Sequence, residues 1–430
     1  MKKMIAVPAL LVFLAAGVFA QISFSGMVGS GATILEGTFS GDKLRASGFL
    51  WGRLQANAQT KDGTLGGVLR LRTGFTTADD PFSPAYNDPL AKAVPYAWAW
   101  WKPVEQVKLQ LGFIDAFAVN EIVGWEFNGN DAEDYIAMAG YDYSGDIFPR
   151  STGFYNGTWW TGGAISVYPV KGLTATIAIP YPKGNPADAT AADVYKYVHA
   201  QVLYNIEGIG RASLTVTGGK DGSLGPTNIA DPFNGWGLTF NTNIPTLYGA
   251  FLLTALKDRG IGVNVGLAYT FPAQLEKEGN NNDMVKINYY SPLAFGLGLS
   301  YTLDKFTVKA RFAATFAGSA KTPDVDTIHE PFKLGFGIIP SYDFGICKVY
   351  LNTGIAYKGK DEVLLDPANT NDVGKKDGSS AFGWHVNPYV AKTIGDVTLY
   401  GGFYFASDSV YGEGSKLTRW GIPVAVQYAF

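Results

Sequence analysis

Residues Arg419 to Phe430 read RWGIPVAVQYAF. Trp420, Ile422, Val424, Val426, Tyr428 and Phe430 take every second position, and Arg419, Gly421, Pro423, Ala425, Gln427 and Ala429 fill the places between. A period of two is that of a β-strand, here with one large apolar face and one small or polar face. Soluble domains usually end in a few polar, poorly ordered residues. A strand carried up to an aromatic final residue instead predicts that this strand is needed, complete, in a sheet.

The other terminus points to the compartment. MKKMIAVPALLVFLAAGVFA has two lysines and then an uncharged apolar run from Met4 to Ala20, with Val18 and Ala20 at the small-residue positions of a cleavage site. This predicts a secretory signal over residues 1–20, removed after Ala20. Loss of Lys2 and Lys3 takes the formal charge from −3 to −5, which argues against nucleic acid as a partner. Cys347 is the single cysteine, and His199, His329 and His385 have no metal-ligand spacing. Neither a disulfide framework nor a metal or other cofactor is expected.

Past residue 20 no run approaches the ~20 continuous apolar residues of a membrane-spanning helix. An exported chain that enters a membrane without helices does so as a closed β-barrel. The composition fits. There are 53 glycines in 430 residues and 17% charged residues, against usual values of about 7% and 25%.

Alternating segments recur along the chain. KFTVKARFAATF sets Phe306, Val308, Ala310, Phe312, Ala314 and Phe316 against Thr307, Lys309, Arg311 and Thr315. LGGVLRLRTGF sets Leu65, Gly67, Leu69, Leu71 and Phe75 against Arg70 and Arg72. VKLQLGF and CKVYLNTGIAYKG behave alike. The count is about twenty, with segments beginning near residues 233 and 283 among them. Tight turns (KPVEQ, VKG, NIPTLYG, LDK, KTIGD) alternate with long polar connections such as 76–93, 115–160 and 357–380. FPAQLEKEGNNND breaks that alternation, since it places a long connection among the short turns.

The expectation is an all-β fold: one transmembrane antiparallel up-and-down β-barrel over 21–430, of about 20 strands (16–20), with short periplasmic turns and long extracellular loops. A propeller or solenoid would show a repeat, and none is present. A soluble sandwich would need one undivided core of unusual size. Aromatics also cluster at strand ends, in PYAWAWWKP and at Tyr428 and Phe430, where membrane barrels carry interface girdles.

The terminal strand, with Ile422, Val424, Val426, Tyr428 and Phe430 on one face, resembles the carboxyl-terminal assembly signal of Gram-negative outer-membrane proteins. The resemblance implies recognition by the barrel-assembly machinery and pairing of the last strand with the first. It also implies residence in outer-membrane lipid and the general-porin architecture. AVPYAWAWWKPVEQVKLQLGF and IVGWEFNGNDAEDYIA are similar to the porin-like outer-membrane proteins of treponemal spirochaetes. General porins commonly form homotrimers, an assembly that no residue of this sequence fixes.

Charges inside strands should face the lumen, because Arg or Lys at mid-membrane on the lipid side costs ~2–4 kcal/mol. Alternation places Arg45, Arg53, Arg70, Arg72, Lys108, Arg211, Lys286, Lys309, Arg311, Lys333 and Lys348 in that set. The acids concentrate elsewhere: Asp115, Glu121, Glu126, Asp131, Glu133 and Asp134 fall in the long connection 115–160, followed by Asp142 and Asp146. In general porins such a loop folds inward and faces a basic wall. The resemblance therefore implies an acidic constriction here, opposite Arg70, Arg72, Lys309 and Arg311. A solvent-exposed acidic loop is the plainer alternative.

The function expected is a porin passing small hydrophilic solutes and ions by passive diffusion. Two alternatives stand beside it. Trp125, Trp159, Trp160 and Trp236 could form an aromatic track in a sugar-selective channel, although interface anchoring is the commoner use of Trp. The long loops could instead make the barrel a scaffold for an adhesin. No G-x-S-x-G, H-E-x-x-H or phosphate-binding loop is present, so no enzyme is expected.

Overall fold

Segments with a period of two can bury one face only by pairing edge to edge until no edge is left, and this chain does so. A computed structural model describes residues 20–38, 45–76, 94–114, 160–180, 199–217, 240–241, 246–270, 273–278, 284–290, 293–316, 318–322, 325–330, 332–359, 362–364, 375–377, 380–407 and 419–430. β1 (Ala20–Thr38), β2 (Arg45–Thr60), β3 (Leu65–Thr76), β4 (Val94–Val104) and β5 (Val107–Ile114) run antiparallel, each paired to the next. β6 (Trp160–Val167), β7 (Leu173–Pro180), β8 (His199–Ile206) and β9 (Gly210–Thr217) continue the wall.

The short β10 (Phe240–Asn241) stands apart, and the wall resumes with β11 (Thr246–Leu253) and β12 (Ile261–Thr270). β13 (Ala273–Glu278) and β14 (Met284–Tyr290) leave it before β15 (Leu293–Leu303) and β16 (Phe306–Thr315). β17 (Gly318–Thr322) and β18 (Val325–Glu330) leave it before β19 (Lys333–Asp343) and β20 (Lys348–Lys358). β21 (Glu362–Leu364) and β22 (Lys375–Asp377) form a small ladder of their own before β23 (Ala381–Ile394). β24 (Val397–Gly402), β25 (Tyr404–Ala406) and β26 (Arg419–Ala429) complete the wall.

The main sheet has 19 strand segments. Gly401 opposite Val424 and Tyr404 opposite Gly421 keep one register across Phe403. β24 and β25 are therefore one wall strand, and the barrel has 18 strand positions. It closes where β26 pairs with β1, from Met27 opposite Ala429 to Thr38 opposite Arg419, across a register shift between Thr33 and Glu36. Closure matters because each peptide group left unpaired in lipid costs several kcal/mol.

Two of the expected strands are not in this wall. The segment expected from residue 283 is β14, and that expected from 233 supplies β10 among the described residues. Both belong to a separate five-stranded sheet of β10, β13, β14, β17 and β18. There the β13–β14 and β17–β18 hairpins pair through β14 and β17. These hairpins continue β12–β15 and β16–β19 past the wall, so their period of two looks the same in sequence. Removing both restores the alternation that FPAQLEKEGNNND appeared to break. Wall connections of two to seven residues, such as 304–305 and 395–396, gather at one rim, and connections of 6 to 45 residues at the other. NIPTLYG accordingly is not a tight turn: its first three residues end the long connection 218–245, and Thr246 to Gly249 begin β11. The tight turns use the left-handed region where required, with Asp304 at φ 49° and Gly395 at φ 59°.

Eighteen strands about 4.8 Å apart and tilted about 40° enclose a circular section on the order of 35 Å across the backbone. Side chains reaching inward about 6–7 Å cannot meet across that width. Among the described residues no helix is long and apolar enough to cross a membrane.

Candidate functional site: the inner wall of the barrel

Side chains on a closed sheet point alternately outward and inward. One face of the wall carries exposed Leu54, Leu71, Leu111, Ile165, Ile177, Leu214, Leu267, Leu299, Leu351 and Val426. The opposite face carries buried Gln110, Ser166, Thr176, Gln201, Thr215, Asn352, His385 and Asn387. Polar groups gather on the concave side, where side chains converge and bond to one another, and the apolar set splays outward. Ile422, Val424, Val426 and Tyr428 share the outer face of β26 through the pairing of Val426 with Leu399 and Tyr428 with Val397.

Ten of the eleven expected basic residues lie on wall strands, at ladder positions in register with the buried polar set. Arg53 opposes Arg72, Arg70 opposes Gln55 and Arg45 opposes Glu36. Lys108 opposes Ser166, Arg211 opposes Asn205 and Leu252, and Lys309 opposes Ser300. Arg311 opposes Gly298 and Gly337, Lys333 opposes Thr315 and Lys358, and Lys348 opposes Asp343 and Ala391. Lys286 is the correction. It lies on β14 in the five-stranded sheet, because its alternating segment is the far part of a hairpin and not part of the wall. The acids of the wall strands are Glu36 and Asp343, both close to a strand end.

One arc of the inner face, over β2 to β5, combines cations with indoles. Arg70 donates from Nε to Gln55 Oε1 at 2.7 Å, and its guanidinium stands 5.7 Å from the centre of the Trp98 ring. Gln55 in turn donates to Asn57 Oδ1 at 2.7 Å. Lys108 Nζ is 5.7 Å from the centre of the Trp100 ring. Such pairs are worth roughly 0.5–1 kcal/mol where water reaches them. Trp98 and Trp100 were expected in an interface girdle at a strand end. They face inward instead, opposite Val68 and Gly66, while Trp101 faces outward opposite Leu65 and Leu109. A Cβ on Gly66 would collide with the Trp100 indole. Glycine there lets the ring lie flat on the wall and leaves the lumen clear.

Neighbouring strands carry an uncharged polar row. Ser166 and Thr176 hydroxyls are 2.8 Å apart, and Gln201 Nε2 donates to Thr215 Oγ1 at 2.9 Å. At the short-turn rim Arg211 Nε donates to Asn205 Oδ1 at 2.9 Å. These bonds hold inner side chains along the wall, where they would otherwise reach into the bore.

The opposite arc is built differently. Arg311 is flanked in its own row by Gly298 and Gly337, and Gly337 by Gly354. The His385 ring occupies the space over Gly354, and its Nε2 is 3.0 Å from Asn352 Oδ1. Nearer the short turns, Tyr350 and Tyr389 stack at 4.4 Å and 6°, with Lys348 Nζ 4.9 Å from the Tyr350 ring. His385 thus lines the inner wall in a polar cluster. The stacked tyrosines and the inward tryptophans carried no separate signal in sequence, because an aromatic at alternate positions fits either face.

Asp115, Glu121, Glu126, Asp131, Glu133 and Asp134, and likewise Trp125, Trp159 and Trp236, lie outside the described residues. Trp160 is the first residue of β6, opposite Ile114.

No protein-family model matches the sequence, and no curated protein matches it. Solved structures do. The outer membrane protein OpdK from Pseudomonas aeruginosa is similar with a TM-score of 0.50 at 11% identity, over 95% of this chain and 99% of that one. OpdL from the same organism matches with a TM-score of 0.49 at 13% identity, over 96% and 98% of the two chains. An anion-selective porin from Comamonas acidovorans matches with a TM-score of 0.46 at 12% identity, over 96% and 100%. At such identities the likeness is one of fold: the chain is a closed antiparallel barrel of the kind found in outer-membrane protein OpdK.

Proposed function

We propose that this protein is an outer-membrane porin, a water-filled channel for passive diffusion of small hydrophilic solutes, with a preference for anions set by its wall. The observation that carries the reading is the charge distribution on a wide closed barrel. Arg53, Arg70, Lys108, Arg211, Lys309, Arg311 and Lys348 take inner positions, and the wall strands answer with Glu36 and Asp343 alone. Barrels of sixteen to eighteen strands leave an aqueous channel, and charged rings along a pore select ions by their potential. Residues 1–20 act as the export signal, and the outer face of β26 is the segment read during assembly.

The test is single-channel conductance of the refolded protein in planar bilayers, with the reversal potential under a salt gradient. Large ohmic steps and a reversal potential on the anion side are expected. One unit charge about 10 Å from the pore axis contributes about 0.4 kcal/mol in water, and less than half of that in 0.1 M salt. Arg70→Gln with Arg311→Gln should therefore lower the anion-to-cation permeability ratio about two- to fourfold. Correctly folded protein that gives no conductance would defeat the proposal and leave the adhesin scaffold.

A further inference from the structure

The inner wall between β11, β12, β15 and β16 holds a groove whose lining includes Leu252, Gly262, Asn264, Gly298, Ser300 and Lys309. Two of its lining residues are glycines. A Cβ on Gly262 would collide with the Ser300 hydroxyl, and one on Gly298 with the Asn264 amide. The two polar side chains therefore lie over the glycines, along the wall.

Two neighbouring rows of inner positions meet there. In one, Gly262 opposes Ser300 and Ser300 opposes Lys309. In the other, Leu252 opposes Asn264, Asn264 opposes Gly298, and Gly298 opposes Arg311. An ammonium, a hydroxyl and an amide thus line the groove on the β12–β16 side, and Leu252 closes it on the β11 side. Among the described inner residues Leu252 is the exposed aliphatic one. It is 40% exposed, whereas Val68 and Ile339, also on inner positions, are 9% exposed. An aliphatic side chain left bare among polar neighbours gains by covering its surface, in proportion to the area covered.

We propose that this groove is a binding subsite for small carboxylates that carry a short hydrocarbon end. Lys309, Ser300 and Asn264 receive the carboxylate, and Leu252 receives the hydrocarbon. Inorganic phosphate offers nothing to Leu252. Arg211 and Arg311, at the two ends of the adjoining row, add positive potential. The inference rests on the porin reading only in that solutes reach the groove through the lumen.

The test uses the mature chain in planar bilayers, with sodium butyrate, sodium acetate and sodium chloride at increasing concentration. Conductance should rise linearly in chloride and saturate in butyrate, with half-saturation several-fold lower in butyrate than in acetate. Lys309→Gln should make the butyrate curve linear, and Leu252→Ser should bring butyrate half-saturation to the acetate value without moving acetate. Ser300→Ala serves as a second polar variant, and unchanged heat-modifiable mobility shows that each variant is folded. A linear butyrate curve in the unmodified channel overturns the subsite, as does saturation untouched by Lys309→Gln and Leu252→Ser. If no salt gives conductance, the porin reading has failed, and calorimetric titration of the detergent-folded protein with butyrate decides the groove alone. Heat lost in Lys309→Gln supports it, and no heat in the unmodified protein overturns it.

Discussion

Gly26 and Phe430 exchange both of their backbone hydrogen bonds, at 2.9 Å from the Gly26 N–H and 3.0 Å from the Phe430 N–H. The Phe430 ring, stacked beside Tyr428 at 5.6 Å, occupies the space a Gly26 side chain would need. The final residue is thus paired to the first wall strand, and glycine on that strand makes room for it. Gly26→Val should displace the ring and weaken this pair. After refolding in detergent, the fraction of protein with heat-modifiable mobility should fall several-fold, and Phe430→Ser should lower it as well. Equal folded fractions in both variants would show that the seam does not depend on this contact.

Neighbouring residues on β9 separate the two faces. Leu214 is exposed on the outer face and Ser213 takes the inner one. Leu214→Arg places a charge toward lipid and should cost about 2–4 kcal/mol, while Ser213→Arg should cost less than about 1 kcal/mol, because its charge meets water. Denaturant unfolding of the barrel in vesicles measures both. Equal costs would contradict the assignment of faces.

Trp100 lies flat because Gly66 is opposite it. Gly66→Leu should lift the indole off the wall into the bore. Lower single-channel conductance and a red-shifted tryptophan emission are the expected signs. An unchanged conductance would mean that this arc does not border the conducting path.

The β2–β3 turn is pH-sensitive at Asp62. A hydrogen bond from the Thr60 hydroxyl, with others from the Thr64 N–H (3.1 Å) and the Thr64 hydroxyl (2.9 Å), holds its carboxyl below the ordinary 3.8. A depressed folded value means that the carboxylate steadies the turn above the unfolded value, and that this is lost as pH falls through the folded one. Hydrogen-exchange protection of the Thr64 amide should therefore drop at pH below about 3.8, and Asp62→Ala should show low protection at every pH. A pH-independent protection in the unmodified protein would rule this out.

Much of the architecture was legible in single segments. KFTVKARFAATF and LGGVLRLRTGF alternate strictly, and their basic residues take the inner face because a charge toward lipid is costly while one toward water is not. Where alternation alone could not decide, the reading erred. Lys286 sits on a strand as regular as those of the wall, yet its hairpin pairs with β17 and not with a wall strand. In AWAWW either the alanines or Trp98 and Trp100 could have faced the lumen. Only the neighbours Gly66, Val68 and Gln110 across the ladder settle it.

The sequence by itself determined that the chain pairs strands, Arg419 to Phe430 among them, since period-two patterning is a property of each segment. Tertiary structure decided which segments enter the wall, which of two faces an aromatic pair takes, and that Leu252, Asn264, Ser300 and Lys309 share one groove. Those facts depend on register between strands far apart in sequence, and no local pattern specifies a partner.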